Sequence, residues 1–188
     1  TEVKNLQRTD KSTVTLVIDS DTGTRYIRKE LCGPHPIYAQ LQALSHPYLP
    51  KIFHVEEARA GVVLIEEFID GANLAEITLP EKQVMVLMEE LCEVLVFLHQ
   101  HGIIHRDIKP SNLLLAPDGH IRLIDFDAAR EEKNTGGSDT RLLGTKGYAP
   151  PEQYGFAQTD ARADIYAVGV TMKQLLGKRA DRRPYRHI

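Results

Sequence analysis

The chain has 188 residues, 42% of them hydrophobic and 26% charged, with a formal net charge of −3 at pH 7. That is an ordinary globular balance, long enough for one domain or two small lobes with a real core. It excludes a bulk basic field for nucleic acid or anionic lipid, and no apolar run of about 18 residues is present to span a membrane.

Two cysteines, Cys32 and Cys92, are too few for a disulfide framework. They read as buried free thiols in a reducing compartment. No charged-then-apolar leader opens the sequence, so the expected location is cytoplasmic.

The first third reads as β-rich. Residues 13–18 and 24–30 alternate apolar and polar side chains around Asp19-Ser20-Asp21-Thr22-Gly23, which is turn chemistry. After Pro34 and Pro36 a short helix is predicted over 37–44. Residues 51–56 and 62–68 form a second predicted hairpin, turning at Arg59-Ala60-Gly61. The character changes near 70–73. Thr78-Leu79-Pro80-Glu81 has a capping-box pattern with proline just inside the start. Val84, Leu87, Met88, Leu91, Val94, Leu95 and Leu98 then follow at helical spacing to about His99. Short strands at 113–116 and 121–124 flank the turn Pro117-Asp118-Gly119. Residues 128–148 are polar and rich in glycine and threonine, and read as a loop. A last helix fits 161–176, with Gly177 as its stop.

The chemistry concentrates in His105-Arg106-Asp107-Ile108-Lys109-Pro110-Ser111-Asn112, with Asp125-Phe126-Asp127 thirteen residues after its last member. Asp107 is a base candidate that can orient a hydroxyl and take its proton. Lys109 is a cation for phosphate, and Asn112 and Asp125 offer the hard oxygens that suit Mg²⁺. Each residue alone would be a surface charge or a turn former. Together they are what transfer of a phosphoryl group from a nucleotide requires.

The segment resembles the catalytic loop of the Hanks-type (eukaryotic-like) bacterial Ser/Thr protein kinases, and Asp125-Phe126-Asp127 resembles their metal-binding motif. Gly144-Thr145-Lys146-Gly147-Tyr148-Ala149-Pro150-Pro151-Glu152-Gln153 resembles the end of the activation segment. Asp164-Ile165-Tyr166-Ala167-Val168-Gly169 resembles the start of the large helix of the C-lobe. The resemblance implies that Lys29, fifteen residues after Val14, holds the α- and β-phosphates of ATP. It implies that Val14, Ile27 and Leu114 sandwich the adenine, and that Glu67 and Ile69 present backbone groups to the base. Glu66 falls at the position behind the adenine.

Three departures from that family stand out. Leu6-Gln7-Arg8-Thr9-Asp10-Lys11-Ser12-Thr13-Val14 occupies the glycine-rich loop frame with Gln7, Thr9 and Ser12 where glycines belong. Thr9, Lys11 and Ser12 side chains are then the candidate phosphate contacts, or the loop covers nothing. The helix that should supply a glutamate to Lys29 carries Ile37 at that position. Glu66 is the candidate replacement, because a carboxylate buried there unpaired is costly. The motif glycine after Phe126 is Asp127.

The expectation is an α+β protein-kinase-like fold with two lobes, residues 1–70 and 71–188, the second ending soon after its large helix. ATP and Mg²⁺ would lie in the cleft between the lobes. The expected activity is γ-phosphate transfer from ATP to Ser/Thr hydroxyls of a protein substrate. Lys29, Asp107 and Lys109 serve the reaction, and Asn112 and Asp125 hold the metal. Arg106 before the base would receive a phosphate on Thr135, Ser138 or Thr140. A pseudokinase that acts as a nucleotide-binding or interaction module is the alternative. A small-molecule phosphotransferase of the antibiotic-kinase type is the third reading, opposed by Lys109 and the long activation segment.

Overall fold

A computed structural model describes residues 2–131 and 160–180. The chain divides into two compact units, Thr1–Asp70 and Gly71–Ile188. The predicted phosphorylation sites Thr135, Ser138 and Thr140 and the segment 144–153 lie outside the described residues.

The N-terminal unit is an antiparallel sheet of order β1-β2-β3-β5-β4 with one short helix. Its strands are β1 (Glu2–Arg8), β2 (Ser12–Ile18), β3 (Arg25–Cys32), β4 (Ile52–Ala58) and β5 (Gly61–Glu67), and the helix is α1 (Ile37–Gln42). The β2–β3 turn forms as its composition predicts. Asp19 Oδ1 accepts the amides of Thr22 and Asp21, each at 2.9 Å, and these bonds hold its carboxyl below the usual range. Gly23 takes φ +70°, where a Cβ would be strained. In β3–β5 the register is Lys29↔Leu64 and Ile27↔Glu66, and in β2–β3 it is Val14↔Lys29. Residues directly opposite share a face, so Val14, Ile27, Lys29, Leu64 and Glu66 all lie on one side of the sheet. Ile37, Tyr38 and Leu41 of α1 are buried, as are Leu31, Val62 and Leu64.

The C-terminal unit is built on α2 (Glu81–Gln100) and α3 (Arg162–Ala180). All seven apolar positions predicted on α2 are buried, together with Glu90. Ala163, Ala167, Val168 and Leu175 of α3 are buried, and the helix packs on α2. Strands β6 (Ala72–Asn73), β8 (Leu113–Leu115) and β9 (Ile121–Leu123) form one small sheet. Strand β7 (Ile103–Ile104) pairs β10 (Arg130–Glu131) in another. A 3₁₀ turn, Pro110–Asn112, precedes β8. Glu90 ties α2 to the β8–β9 hairpin, accepting from His120 Nδ1 at 2.7 Å and the Ile121 amide at 2.9 Å. Among the described residues no helix is long and apolar enough to cross a membrane.

Several local expectations are corrected. Cys32 and Cys92 are exposed, not buried: their apolar sequence neighbours point the other way along strand and helix. The capping box at Thr78 does not form. Pro80 itself sits at the N-cap and no side chain caps the helix; the Gln83 and Val84 amides both donate to Pro80 O at 3.0 Å. Gly177 does not stop α3, which runs on to Ala180, since an isolated glycine weakens a helix without ending it. Arg130–Glu131, expected within a loop, is the strand that pairs with β7. Residues 2–8 form a strand at the sheet edge, so the glycine-less frame is largely a hairpin.

Candidate active site

In the C-terminal unit the segment 105–112 is gathered around Asp107. Lys109 Nζ donates to Asp107 Oδ2 at 2.6 Å, and Asn112 Nδ2 donates to the same oxygen at 3.1 Å and to the Asp107 carbonyl at 2.8 Å. Both donors of one amide end face Asp107, so the Asn112 carbonyl oxygen points elsewhere, as a metal ligand requires. Pro110 opens the 3₁₀ turn with a φ already suited to it. That turn makes the Asn112 amide reach Lys109 O at 3.0 Å, which brings the Asp107, Lys109 and Asn112 side chains together. The Ile124 amide then donates to Asn112 O at 3.0 Å, which places Asp125 next along the chain.

His105 joins the two motifs. Its Nδ1 accepts the Asp107 amide at 3.3 Å, so Nε2 carries the proton and faces Ile124 O at 3.3 Å. Its ring meets Phe126 edge-on with centroids 4.7 Å apart. Burial pushes its pKa below the ordinary value, outweighing the carboxylates of Asp164, Asp125 and Asp107, which act the other way. The ring is therefore a neutral link, accepting the Asp107 amide at Nδ1 and donating from Nε2 to the Ile124 carbonyl.

Among the described residues, two positions other than glycine adopt positive φ: Arg106 at 69° and Asp125 at 66°. Aspartate tolerates this region; arginine there costs of order 1–2 kcal/mol and needs outside support. Asp164 provides it. This carboxylate, fully buried in the first turn of α3, accepts the Arg106 amide at 2.8 Å, the His105 amide at 2.9 Å and His99 Nε2 at 2.8 Å. Sequence reasoning placed Asp164 on the helix but missed this role. The available signal was the one acidic residue of α3, in its first turn, where a dipole argument also suffices.

In the N-terminal unit the structure brings Lys29 and Glu66 together. Lys29 Nζ lies 3.0 Å from Glu66 Oε1, and each side chain is only 7% exposed. The Tyr38 ring centroid is 5.9 Å from the same ammonium. Val14 and Ile27 are half-buried on the same face. The Glu67 amide is engaged by Lys51 O at 2.8 Å, and its carboxylate accepts the Lys51 amide at 3.1 Å. Ile69 follows, half-buried. Arg25 braces this segment, pairing with Asp70 at 2.8 Å and lying 4.4 Å over the Phe68 ring. Leu114, half-buried in β8, belongs to the C-terminal unit.

The β1–β2 turn is closed on itself. Thr9 Oγ1 accepts the amides of Ser12 at 3.0 Å and Lys11 at 3.2 Å, and the Thr9 amide donates to Ser12 O at 2.8 Å. The Cys32 amide holds Lys11 O at 2.8 Å, and its thiol faces Asp10 O at 3.8 Å. A glycine-rich loop offers its amides to phosphate; here the Lys11 and Ser12 amides already have an acceptor.

The protein kinase domain family matches residues 11–186 of this chain. The chain is similar to the serine/threonine-protein kinase PknB of Mycolicibacterium smegmatis, 29% identical over 180 residues, which covers 86% of this chain and 29% of that protein. PknB of Mycobacterium tuberculosis is 30% identical over the same length and shares. Protein kinase C zeta type of Oryctolagus cuniculus is 32% identical over 149 residues, 74% of this chain and 24% of its own. The chain thus spans 29% of the length of the PknB relatives it matches.

Proposed function

We propose that this chain, which belongs to the protein kinase domain family, transfers the γ-phosphate of ATP to serine and threonine hydroxyls of a protein substrate. The observation that carries this reading is the single carboxylate oxygen of Asp107 that accepts from both Lys109 and Asn112. A base, its charge-balancing cation and a metal ligand are locked together there.

In this reading Asp107 orients the acceptor hydroxyl and takes its proton late in the transfer. Lys109, beside the base, offsets negative charge on the phosphoryl group in flight. Lys29 holds the α- and β-phosphates, Val14, Ile27 and Leu114 contact the adenine, and Glu67 and Ile69 meet its edge. The Asn112 amide oxygen and the Asp125 carboxylate are a hard-oxygen pair that fits Mg²⁺, which takes few protein ligands and keeps several waters. When bound, the metal neutralises charge on the phosphate oxygens. The free thiols Cys32 and Cys92 suit a reducing, cytoplasmic setting for this work.

One observation favours the second reading, a pseudokinase. With its amides engaged internally, the β1–β2 turn supplies less phosphate contact than a glycine-rich loop does. Transfer of label from γ-labelled ATP to casein, run beside a nucleotide thermal shift, separates the two. Asp107→Asn is expected to lower kcat by roughly 10²–10⁴-fold and keep the shift. Equal transfer by Asp107→Asn refutes the role of Asp107. A wild-type shift without transfer means pseudokinase.

A further inference from the structure

From Leu31 to Val55 the chain contains no aspartate or glutamate. Helix α1 lies inside that stretch and turns Ile37, Tyr38 and Leu41 into the core. The helix beside Lys29 can therefore offer its ammonium a ring face but no charge. A lysine buried this deeply needs a carboxylate, because an unpaired ammonium in a low-dielectric site is strongly unfavourable. The sheet supplies it. Lys29 stands opposite Leu64, and Glu66 follows two residues along β5 on the same face. That diagonal is within reach of two long side chains, and their charged ends meet at 3.0 Å.

We propose that Glu66 is the positioning residue for Lys29, so that the phosphate-gripping lysine is set by strand pairing rather than by a helix. The inference rests on Lys29 being a phosphate ligand. Both members of the pair sit on strands locked in one continuous register, with Ile27↔Glu66 and Lys29↔Leu64 successive pairs on one face. Helix α1 contributes packing and the Tyr38 ring. Movement of α1 leaves the carboxylate partner where it is, so the lysine stays oriented whenever the sheet is folded. The β1–β2 turn strengthens the point: with its Lys11 and Ser12 amides engaged by Thr9, the N-terminal unit's hold on phosphate falls chiefly on Lys29.

The test compares wild type with Lys29→Met, Glu66→Gln, Glu66→Asp and the Lys29→Met/Glu66→Gln double variant. Calorimetric Kd for Mg-ATP and steady-state kcat and KM are measured on each, with thermal melting as the control for folding. Glu66→Gln keeps the shape and removes the charge. It is expected to weaken Kd or kcat/KM by roughly tenfold or more, about 1.4 kcal/mol. The double variant is expected to be no worse than Lys29→Met, and Glu66→Asp to recover part of the loss. Should Glu66→Gln melt early, Glu66→Asp alone carries the comparison, since it retains the charge but withdraws it by one methylene. If Lys29→Met impairs binding or transfer while the Glu66 variants stay within twofold, Glu66 does not position the lysine. Independent, additive losses in the double variant overturn the proposal too, and so does a wild type that binds no Mg-ATP. Coupled effects on Kd without any phosphate transfer uphold the pair and remove the kinase activity instead.

Discussion

Asp164 shows how much one side chain carries at the scale of a residue. Two of its three donors are the amides of the buried residues His105 and Arg106, so removing the carboxylate leaves buried polar groups without an acceptor. Asp164→Ala should destabilise the fold by about 3–5 kcal/mol in chemical denaturation, the usual cost of breaking a buried charged network. Because the positive φ of Arg106 loses its clamp, kcat should fall with it. His105 yields a pH prediction. Its folded pKa is depressed from 6.5, chiefly by burial, so between the two values the unfolded chain binds the proton and the folded chain does not. Above about pH 6.5 neither state is charged and the residue contributes nothing to the pH dependence. As pH falls below that, stability drops, by up to about 1.4 kcal/mol per pH unit. Urea midpoints at pH 7.5, 6.5 and 5.5 should show the slope, and His105→Gln, which keeps a donor and an acceptor, should flatten it. A steeper slope in the variant would contradict the assignment of a neutral buried ring.

Among the elements, the sheet of the N-terminal unit has the narrowest tolerance. A Cβ at Gly61 would lie 1.7 Å from Leu31 O, so Gly61→Ala must push β5 away from β3. A loss of about 1–3 kcal/mol is expected, as for other overpacked sites, read from the denaturation midpoint. Gly169, in the body of α3, has open space around its Cα, and Gly169→Ala should stabilise by about 0.5–1 kcal/mol through backbone entropy and helix propensity. Strand and helix placement followed from pattern because alternation and the 3.6 period are local. The α2 stripe from Val84 to Leu98 is the clearest case: every predicted position is buried. Boundaries and caps were harder. Thr78 has the right chemistry for a cap, yet the chain enters α2 through Pro80, and entry direction depends on packing. Strand β10 is two residues long and exists because Ile103–Ile104 pairs with it. No window of local sequence contains that partner.

For the whole molecule, the kinase reading makes the reaction depend on a metal held by only two protein groups, Asn112 and Asp125. Chelation by EDTA should abolish label transfer, and added Mg²⁺ should restore it. Asp125→Ala should raise the Mg²⁺ concentration needed for half-maximal rate. Transfer that persists in EDTA would exclude those residues as metal ligands. Family membership and the order of the motifs were legible in the amino-acid sequence, because Asp107, Lys109, Asn112 and Asp125 stand at spacings that short turns enforce. The same reading identified Glu66 as the candidate partner of Lys29 from the lack of a helix carboxylate. Whether the two charges meet depended on the register of β3 against β5, and a one-residue slip would send one of them to the opposite face. The closure of the β1–β2 turn by Thr9, its tie to Cys32, and the three-donor grip of Asp164 on the catalytic segment were decided only in three dimensions. They join residues distant in sequence, or depend on which backbone amides the fold leaves in need of an acceptor. Residue types at fixed spacings are enough to specify a reaction class. The orientation of a buried charge is set by its neighbours across strands, and only the tertiary structure supplies those.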